Sequence, residues 1–291
     1  MSLPPKFRCR EIDRADIEAT INVLEQGFPN HDSNYWARAL ARLTEHRGVP
    51  GLPKYGYLLE VDSRPVGVIL VIFSKIPVGP QTRCRANIAS WYVEPQYRGY
   101  APMLTSRAHA HRDVTYLQLT PAPHVLPIIE AQGYRRYAEG TFAAAAFLCS
   151  PVRGASVRVV PHDLQGADDM SQAECDLLLD HQSYGCISVV CTLGGRRHPF
   201  VFARRRRRTR LGGWPYARLI YCRDLDEFAR FAGPLGRFLA RHGMFLVGLD
   251  ANASLHGVPG RFLPGGPKFF KGPDMPRLGD ISYTELSMFV C

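Results

Sequence analysis

The sequence lacks the segments that would direct it to a membrane or out of the cell. No apolar run approaches the ~20 residues that a membrane-spanning helix needs. Residues 1–10 also lack the apolar core of a secretory signal. We therefore expect a cytoplasmic protein without a membrane partner.

Cysteine pairs at metal-binding spacing are also missing. The eight cysteines are scattered and none belongs to a Cys-x-x-Cys pair, whereas a zinc site needs paired ligands at short spacing. Several lie inside apolar runs such as "AAFLC" and "LIYC", so we interpret them as small buried hydrophobic residues in a reducing compartment. We expect no metal site.

The overall composition is that of a soluble globular protein. Hydrophobic residues make up 46% and charged residues 21% of 291 residues, a length that suits two domains. The formal net charge of +10 predicts a partner with negative charge. Nucleic acid, an acidic substrate and a phosphate-bearing cofactor all remain open on charge alone.

Periodicity divides the first half into alternating helices and strands. "DRADIEATINVLEQGF" predicts a helix with Asp13 as N-cap and Gly27 at its end, and "SNYWARALARLTEH" a second helix capped by Ser33 or Asn34. "YGYLLEV", "VGVILVIFSKI" and "RCRANIASWYV" predict three strands, and a helix follows to about His111. "VTYLQLT", "HVLPIIEAQGY" and "TFAAAAFLC" then predict a strand, a short helix and a strand. This order indicates an α/β (α+β) protein with a mixed sheet.

A similar order recurs faintly after the linker "SPVRGAS". "SVRVVP" predicts a strand, "SQAECDLLLDHQ" a helix, and "CISVVCTL" with "HPFVFARR" a hairpin about Gly194 and Gly195. "YARLIYC", "DLDEFARFAGPLGRFLARH" and "MFLVGLDA" predict a strand, a helix and a strand, residues 252–280 a long loop, and "ISYTELSMFV" the last strand. We therefore predict two domains, 1–150 and 151–291, the second a degenerate repeat of the first.

One stretch, "YVEPQYRGYAPML", passes from strand to helix through a turn with little side-chain cover. The first turn of a helix has unpaired N–H groups and a partial positive charge, which together attract phosphate. Arg98 adds a full charge, and Gly99 lets a ligand approach the backbone closely. The alternative is an ordinary tight connection.

These segments together resemble the GNAT superfamily of acyl-CoA-dependent N-acyltransferases over roughly residues 7–149. The likeness rests on the early "R-x-x-D" helix, the hairpin "LLEVDSRPVGVILV", the turn "WYVEPQYRGYA" and the closing "EAQGYRRY". It implies a GNAT fold, with a mixed, mostly antiparallel central sheet flanked by helices, and a weaker GNAT-like copy in the second half. It further implies transfer of an acetyl or other acyl group from acyl-CoA to an amine of a small molecule or peptide.

The resemblance also implies cofactor-binding residues. A splayed, bulged strand would hold the pantetheine arm, and the turn with the helix start would hold the pyrophosphate: Trp91, Tyr92, Val93, Arg98, Gly99, Tyr100, Ala101 and Met103. The family's loop usually reads Arg-Gly-x-Gly-x-Gly, but here Ala101, Pro102 and Met103 depart from it. An inactive GNAT-fold protein with a binding or structural role is therefore the alternative function.

The catalytic residues depart from the family too. Many members place a tyrosine, which protonates the leaving thiolate, where this chain has Ile129. His124, Tyr134 and Tyr137 are the nearest alternative acids, and Glu94 is the nearest carboxylate that could accept a proton from the amine. The second half passes through "YCRDLDEF" without a glycine turn, which implies one cofactor site per chain.

Two further segments stand out. "ARRRRRTR", residues 203–210, could bind nucleic acid, contact an acidic substrate or the CoA 3′-phosphate, or stand in solvent. No aromatic platform or nucleic-acid module accompanies it, so we favour solvent over nucleic acid. "PGRFLPGGPKFFKGPD" could form a lid, with Phe262, Phe269 and Phe270 lining a cleft. A homodimer remains open.

Overall fold

The computed structural model describes residues 6–78, 81–166, 168–209 and 212–289, without the side chains of residues 207–209 and 212. The chain divides into two compact units. Unit 1 comprises Met1–Thr120 and Phe270–Met275, and unit 2 comprises Pro121–Phe269 and Pro276–Cys291. Residues 121–149, which precede the linker expected near residue 150, thus belong to unit 2. The division of the sequence into halves at that linker stays a prediction.

Unit 1 is an α/β unit with a mixed sheet. In chain order its elements are β1 (Phe7–Glu11), α1 (Ile17–Gly27), α2 (Ser33–Glu45), β2 (Gly56–Val61), β3 (Arg64–Val78), β4 (Gln81–Val93), α3 (Ala101–Ala108) and β5 (Val114–Gln118). The strands lie in the order β1-β2-β3-β4-β5. Neighbours in β1–β4 are antiparallel, whereas β4 and β5 are parallel.

Apolar side chains explain why these segments pack as they do. β2 and the first half of β3 are buried almost throughout, as expected for strands covered on both faces. α1 and α2 bury Leu24, Trp36 and Leu40 on one side. Asp13 caps the 3₁₀ turn that leads into α1, whereas the N-cap position of α1 itself is Asp16. The N-cap of α2 is Asp32, so the prediction of Ser33 or Asn34 was wrong by one or two residues.

Unit 2 is also an α/β unit with a mixed sheet. Its elements are α4 (Leu126–Ala131), β6 (Arg135–Ala144), β7 (Ser156–Val159), α5 (Gln172–Ser183), β8 (Ile187–Leu193), β9 (Arg196–Thr209), β10 (Gly212–Tyr221), α6 (Leu225–Arg241), β11 (Val247–Ala251), β12 (Gly260–Lys271, of which residues 260–269 belong to this unit) and α7 (Glu285–Met288). The strands lie in the order β12-β6-β11-β10-β9-β8-β7. β10 and β11 are parallel, and the pairs from β7 to β10 are antiparallel.

The core of unit 2 is rich in aromatic side chains. Phe142, Phe200, Phe202, Phe228 and Phe231 are fully buried, and they join aliphatic residues of β8–β11 and α6 in one cluster. Burying one such ring stabilises the fold by roughly 2–3 kcal/mol. β6 contributes to this cluster through Phe142 and pairs with β11. The long-range pairing of β6 therefore explains why residues before the linker belong to unit 2.

Two predictions for the C-terminal region were wrong. Residues 252–280 are not one long loop, because β12 lies within them and buries Phe269 and Phe270. Those rings therefore do not line a lid. The two glycines Gly265 and Gly266 and the adjacent prolines hid the strand from the sequence pattern.

The predicted last strand is instead a turn followed by α7. Thr284 and Ser287 form a capping box that starts the helix, and the Ser282 hydroxyl donates to Asp280 at 2.6 Å. Tyr283 has a φ of 53°, which a strand does not accommodate. Short polar side chains that hydrogen-bond locally compete with strand pairing. Here they stabilise a turn and a helix start, although the apolar residues around them favour a strand.

Candidate functional site

Strands β4 and β5 run side by side for only part of their length. Their ladder extends from the pair Cys84 and Val114 to the pair Asn87 and Leu117. Asn87 stands at the fork, where its side-chain amide donates to the backbone carbonyls of Ile88 at 3.3 Å and Leu117 at 3.5 Å. In the described part of the chain, the ladder pairs none of residues 88–93 with β5. That side of β4 is therefore available to a ligand's amide groups.

A bulge lies in β4 just beyond the fork. Tyr92 pairs with Val68, but Ala89 pairs with Leu70, so β4 has one residue more than β3 in this interval. Ser90 takes up the extra length with a φ of 48°. Bulges bend a strand and re-aim its side chains, and they are frequent next to functional sites. β4 therefore has the splayed, bulged end that the GNAT resemblance implied.

The three residues after the bulge differ in their surroundings. The indole N–H of Trp91 is buried and has no hydrogen-bond partner among the described residues, which is unusual for a buried donor. Tyr92 packs against the end of α1: its ring lies 6.5 Å from that of Phe28, and a Cβ on Gly27 would lie 2.3 Å from it. Val93 is buried and pairs with Gly67. The bulged segment is thus fixed by α1 and β3.

Glu94 anchors the turn that follows β4. Its carboxylate accepts two hydrogen bonds from the Arg64 guanidinium, at 2.6 and 3.0 Å, and one from the Gln96 amide at 2.8 Å. The backbone carbonyl of Glu94 accepts from Tyr97 N–H at 2.9 Å. Hydrogen bonding to Glu94, and then to Tyr97, raises the pKa of Arg64 above its usual range. Both oxygens of the predicted general base therefore have cationic or amide partners, which favours a positional role.

The outer face of the turn is open. Arg98 and Gly99 are exposed in the 3₁₀ turn Pro95–Tyr100, while Tyr100 stacks on Phe7 with ring centroids 3.5 Å apart. A Cβ added at Gly99 would meet no atom within 4 Å, so the fold itself does not require glycine there. The room above Gly99 is what a closely bound phosphate would need.

α3 begins directly after this turn. No side chain caps its N-terminus, its first turn has no acidic residue, and Pro102 stands at the first or second position. Ala101 and Met103 are half-buried beside it. Ala101 N–H donates to the Arg98 carbonyl and Pro102 has no N–H, so this eight-residue helix attracts an anion through the partial positive charge of its N-terminus. Beside Arg98, this end of α3 favours an anion.

Comparison with known proteins supports this fold. No protein-family model and no curated protein matches the chain. Among solved structures, a GCN5-related N-acetyltransferase from Anabaena variabilis is 16% identical, with a TM-score of 0.58 over 91% of this chain and 72% of that one. A GCN5-related N-acetyltransferase from Kribbella flavida is 14% identical, with a TM-score of 0.55 over 91% and 71%. The protein has the GNAT fold. At this level of identity the likeness concerns the fold alone.

The site residues that the GNAT resemblance implied belong to different units. The eight predicted cofactor-binding residues and Glu94 belong to unit 1, whereas His124, Tyr134 and Ile129 belong to unit 2. His124 is exposed in a 3₁₀ turn before α4, and Tyr134 is 5% exposed just before β6. Ile129 is fully buried in α4. The catalytic roles of His124, Tyr134 and Glu94 stay predictions.

Sequence reasoning missed the residues that support the GNAT turn. Arg64 follows the hairpin turn at Asp62 and Ser63, whose φ values of 49° and 69° are typical of a two-residue hairpin. It then reaches Glu94 across β3 and β4, and its guanidinium lies 5.8 Å from the Tyr97 ring centre. Thirty residues separate this ion pair in sequence. No local pattern could have found it.

A cleft beside the loop between α1 and α2 was also missed. Its volume is about 590 Å³. Its lining combines two carboxylates, an arginine and aromatic rings: Glu25, Pro29, Asn30, His31, Asp32, Tyr35 and Arg38. The rings of His31 and Tyr35 stack 4.0 Å apart. The available signal was the mixture of polar and aromatic letters in "FPNHDSNYW".

The structure also describes possible metal ligands, helix lengths, most of the cysteines and part of the arginine run. Within the described ranges, no group of three or more His, Cys, Asp or Glu side chains could hold a metal ion, and no helix has the length and apolarity to span a bilayer. The seven described cysteines are free thiols. Arg204 and Arg206 are exposed in β9, and Arg205 donates to the Leu286 carbonyl. The side chains of residues 207 and 208, and residue 210, lie outside the described residues.

Proposed function

We propose that the protein is an N-acyltransferase that binds acyl-CoA in unit 1 and transfers its acyl group to an amine. One observation carries this proposal: the bulged end of β4, beyond its described ladder with β5, leads through an exposed arginine–glycine turn into a helix without a side-chain cap. This arrangement offers backbone groups for a pantetheine arm and a positive helix end for a pyrophosphate. The GNAT fold supports acyl transfer in general.

The residues of the turn fit this co-substrate. The Arg98 side chain is exposed and, among the described residues, makes no hydrogen bond or ion pair, so its charge is free for a phosphate. Gly99 has open space where a side chain would stand. The Arg64–Glu94 pair holds the turn in place without using Arg98. The unpartnered Trp91 indole beside the bulge is a further donor near the same segment.

The chemistry follows from the co-substrate. Bound acyl-CoA supplies an activated thioester: a neutral amine forms the new N–C bond, the C–S bond breaks, and the thiolate gains a proton as the amine loses one. We propose that residues of this chain accept the amine proton and supply the thiolate proton, with His124 and Tyr134 as the candidates. Backbone N–H groups at the splayed end of β4 would polarise the acyl carbonyl.

The two units support a tandem arrangement. In each, four antiparallel strands are followed by a helix and a parallel strand. We propose that the second half is a GNAT-like copy of the first and that the enzyme acts in the cytoplasm. A protein that retains the fold but not the activity is the alternative, and the changes at Ala101, Pro102 and Met103 favour it.

Calorimetric titration of acetyl-CoA tests the proposal. We expect micromolar binding to the wild type and roughly ten- to hundredfold weaker binding to Arg98→Ala, because a hydrogen bond to a charged group contributes about 1.5–3 kcal/mol. Arg112→Ala removes another exposed arginine of unit 1 and should leave affinity unchanged. Gly99→Leu should abolish binding without lowering Tm. If neither acetyl-CoA nor longer acyl-CoAs bind, the inactive alternative is correct.

A further inference from the structure

Unit 2 repeats the construction of the candidate site in unit 1. Its parallel ladder is short: among the described residues, β10 pairs with β11 at Ala217 and Arg218. β10 also has a bulge: Leu219 pairs with Phe202 and Tyr221 with Val201, so one residue of β10 is extra. α6 follows β10 as α3 follows β4. A fork, a bulge and a helix thus occur in the same order in both units.

In unit 2 the chain itself pairs with the strand beyond the bulge. Tyr221 forms an antiparallel bridge with Asp280. Cys222 N–H donates to the Gly279 carbonyl, and Ile281 N–H donates to the Ile220 carbonyl, both at 2.9 Å. In unit 1, Tyr92 and Val93 of β4 have ladder partners, within the described chain, in β3 alone. The backbone that a ligand could use in unit 1 is occupied in unit 2.

The packing around this segment is close. Gly279 has a φ of +85°, and a Cβ there would lie 2.6 Å from the Cys222 sulfur and 3.3 Å from Leu225. Both the conformation and the contact therefore require glycine. No larger residue fits between the segment and the start of α6.

Arg277 fixes the same segment through its side chain. Its guanidinium donates to the Cys222 carbonyl and, at 2.6 Å, to the Arg223 carbonyl. It also lies 5.0 Å from the Tyr221 ring centre and 3.4 Å from the Asp280 carboxylate. These contacts bind the turn between β10 and α6 where a cofactor's phosphates would lie in a site of this kind.

The charge at the start of α6 is opposite to that at α3. Asp224 caps α6 by accepting from Glu227 N–H at 2.6 Å, and Asp226 and Glu227 stand in the first turn. Carboxylates at this position neutralise the helix end and repel phosphate. α3 has neither a side-chain cap nor an acidic residue in its first turn.

We propose that unit 2 contains a second cleft of the acyl-CoA-binding type and that residues 277–281 of the same chain occupy it through a short backbone pairing with β10. The inference rests on the function proposed for unit 1. It has two consequences: the protein binds one acyl-CoA per chain, and the segment 277–281 contributes to the stability of unit 2 instead of to binding.

Stoichiometry and hydrogen exchange test the proposal on the full chain. Titration with acetyl-CoA should give one site in the wild type, none in Gly99→Leu, and one in Gly279→Ala. The amides of Cys222 and Ile281 should exchange slowly in the wild type and at least tenfold faster in Gly279→Ala. Gly257→Ala is the matched control, because Gly257 also has a positive φ of +73° but open space at its Cβ position. It should keep both amides protected.

Arg277→Ala gives a second route if Gly279→Ala does not fold, and it should also speed exchange at Cys222. Two sites in the wild type, with one remaining in Gly99→Leu, would overturn the inference while leaving the proposed function intact. If the wild type binds no acetyl-CoA, the proposed function is refuted. The exchange rates would then test only whether residues 277–281 pair with β10. Unprotected amides at Cys222 and Ile281 in the wild type would overturn it.

Discussion

The ion pair between Arg64 and Glu94 should hold the turn that carries Arg98. Glu94 has a side chain only 9% exposed, whereas that of Arg64 is 55% exposed. Replacing Arg64 by alanine leaves a buried carboxylate with the Gln96 amide as its remaining side-chain partner. The turn must then shift to let water reach Glu94, and Arg98 and Gly99 shift with it.

The size of the effect follows from the geometry. Two charge-assisted hydrogen bonds, at 2.6 and 3.0 Å, are lost. Each would contribute about 1.5–3 kcal/mol if fully buried, but the exposed guanidinium is screened by solvent. We therefore expect Arg64→Ala to cost about 2 kcal/mol, or roughly 6–12 °C in Tm for a unit of this size. Affinity for acetyl-CoA should fall about tenfold as the turn loosens.

Thermal unfolding and calorimetric titration, run on the same preparations, measure both effects. Arg64→Lys keeps the charge but loses the paired donors, so its Tm and affinity should lie between those of the wild type and Arg64→Ala. Arg112→Ala controls for the loss of an exposed arginine.

A catalytic role for Glu94 predicts a different pattern. Glu94→Gln would then lower kcat by about 10²–10⁴-fold while Tm and affinity stay near the wild-type values, and Arg64→Ala would have little effect. A positional role predicts that Glu94→Gln and Arg64→Ala both lower Tm and affinity. Unchanged Tm and affinity in Arg64→Ala would refute the positional role of this ion pair.

Three further perturbations have definite expected outcomes. Gly27→Ala places a Cβ within 2.7 Å of the Tyr92 ring, so overpacking should cost about 1–3 kcal/mol in chemical denaturation; an unchanged midpoint would contradict this contact. Ser90→Val should destabilise the bulge and Ser90→Gly should not, because a β-branched residue is strained at a φ of 48°; equal Tm values would contradict the bulge. Hydrogen bonding to Arg197 lowers the pKa of Asp169 to about 2. The stability that Asp169→Asn removes should thus be present above about pH 4 and shrink towards pH 2, as urea midpoints at pH 6 and pH 3 would show.

Much of the fold could be read from local patterns. The helix that Asp13 precedes and Gly27 ends, the strands around "DSRP" and the helix after Ser171 all lie where periodicity and capping residues predicted them. These signals are local, since a side chain that caps a helix or fits a strand acts on its immediate neighbours. They also led to the GNAT resemblance.

Local patterns failed where distant contacts decide the conformation. β12 is a strand despite the sequence "LPGGP", because Phe269 and Phe270 are buried in the fold. The segment after Gly279 has an apolar, strand-like sequence but does not form a strand. Ile281 hydrogen-bonds to β10 at Ile220, and the hydroxyl groups of Thr284 and Ser287 then cap the start of α7. Neither outcome is encoded within a window of ten residues.

The sequence by itself determined most of the elements before residue 252, their order and the arginine–glycine turn, because each depends on neighbouring residues. The tertiary structure alone decided how these are used. It paired Arg64 with Glu94 across 30 residues, placed β6 beside β11 and brought Gly279 against Cys222. Such pairings depend on the free energy of burying side chains from distant segments together. A local sequence pattern does not specify which distant segment will be the partner.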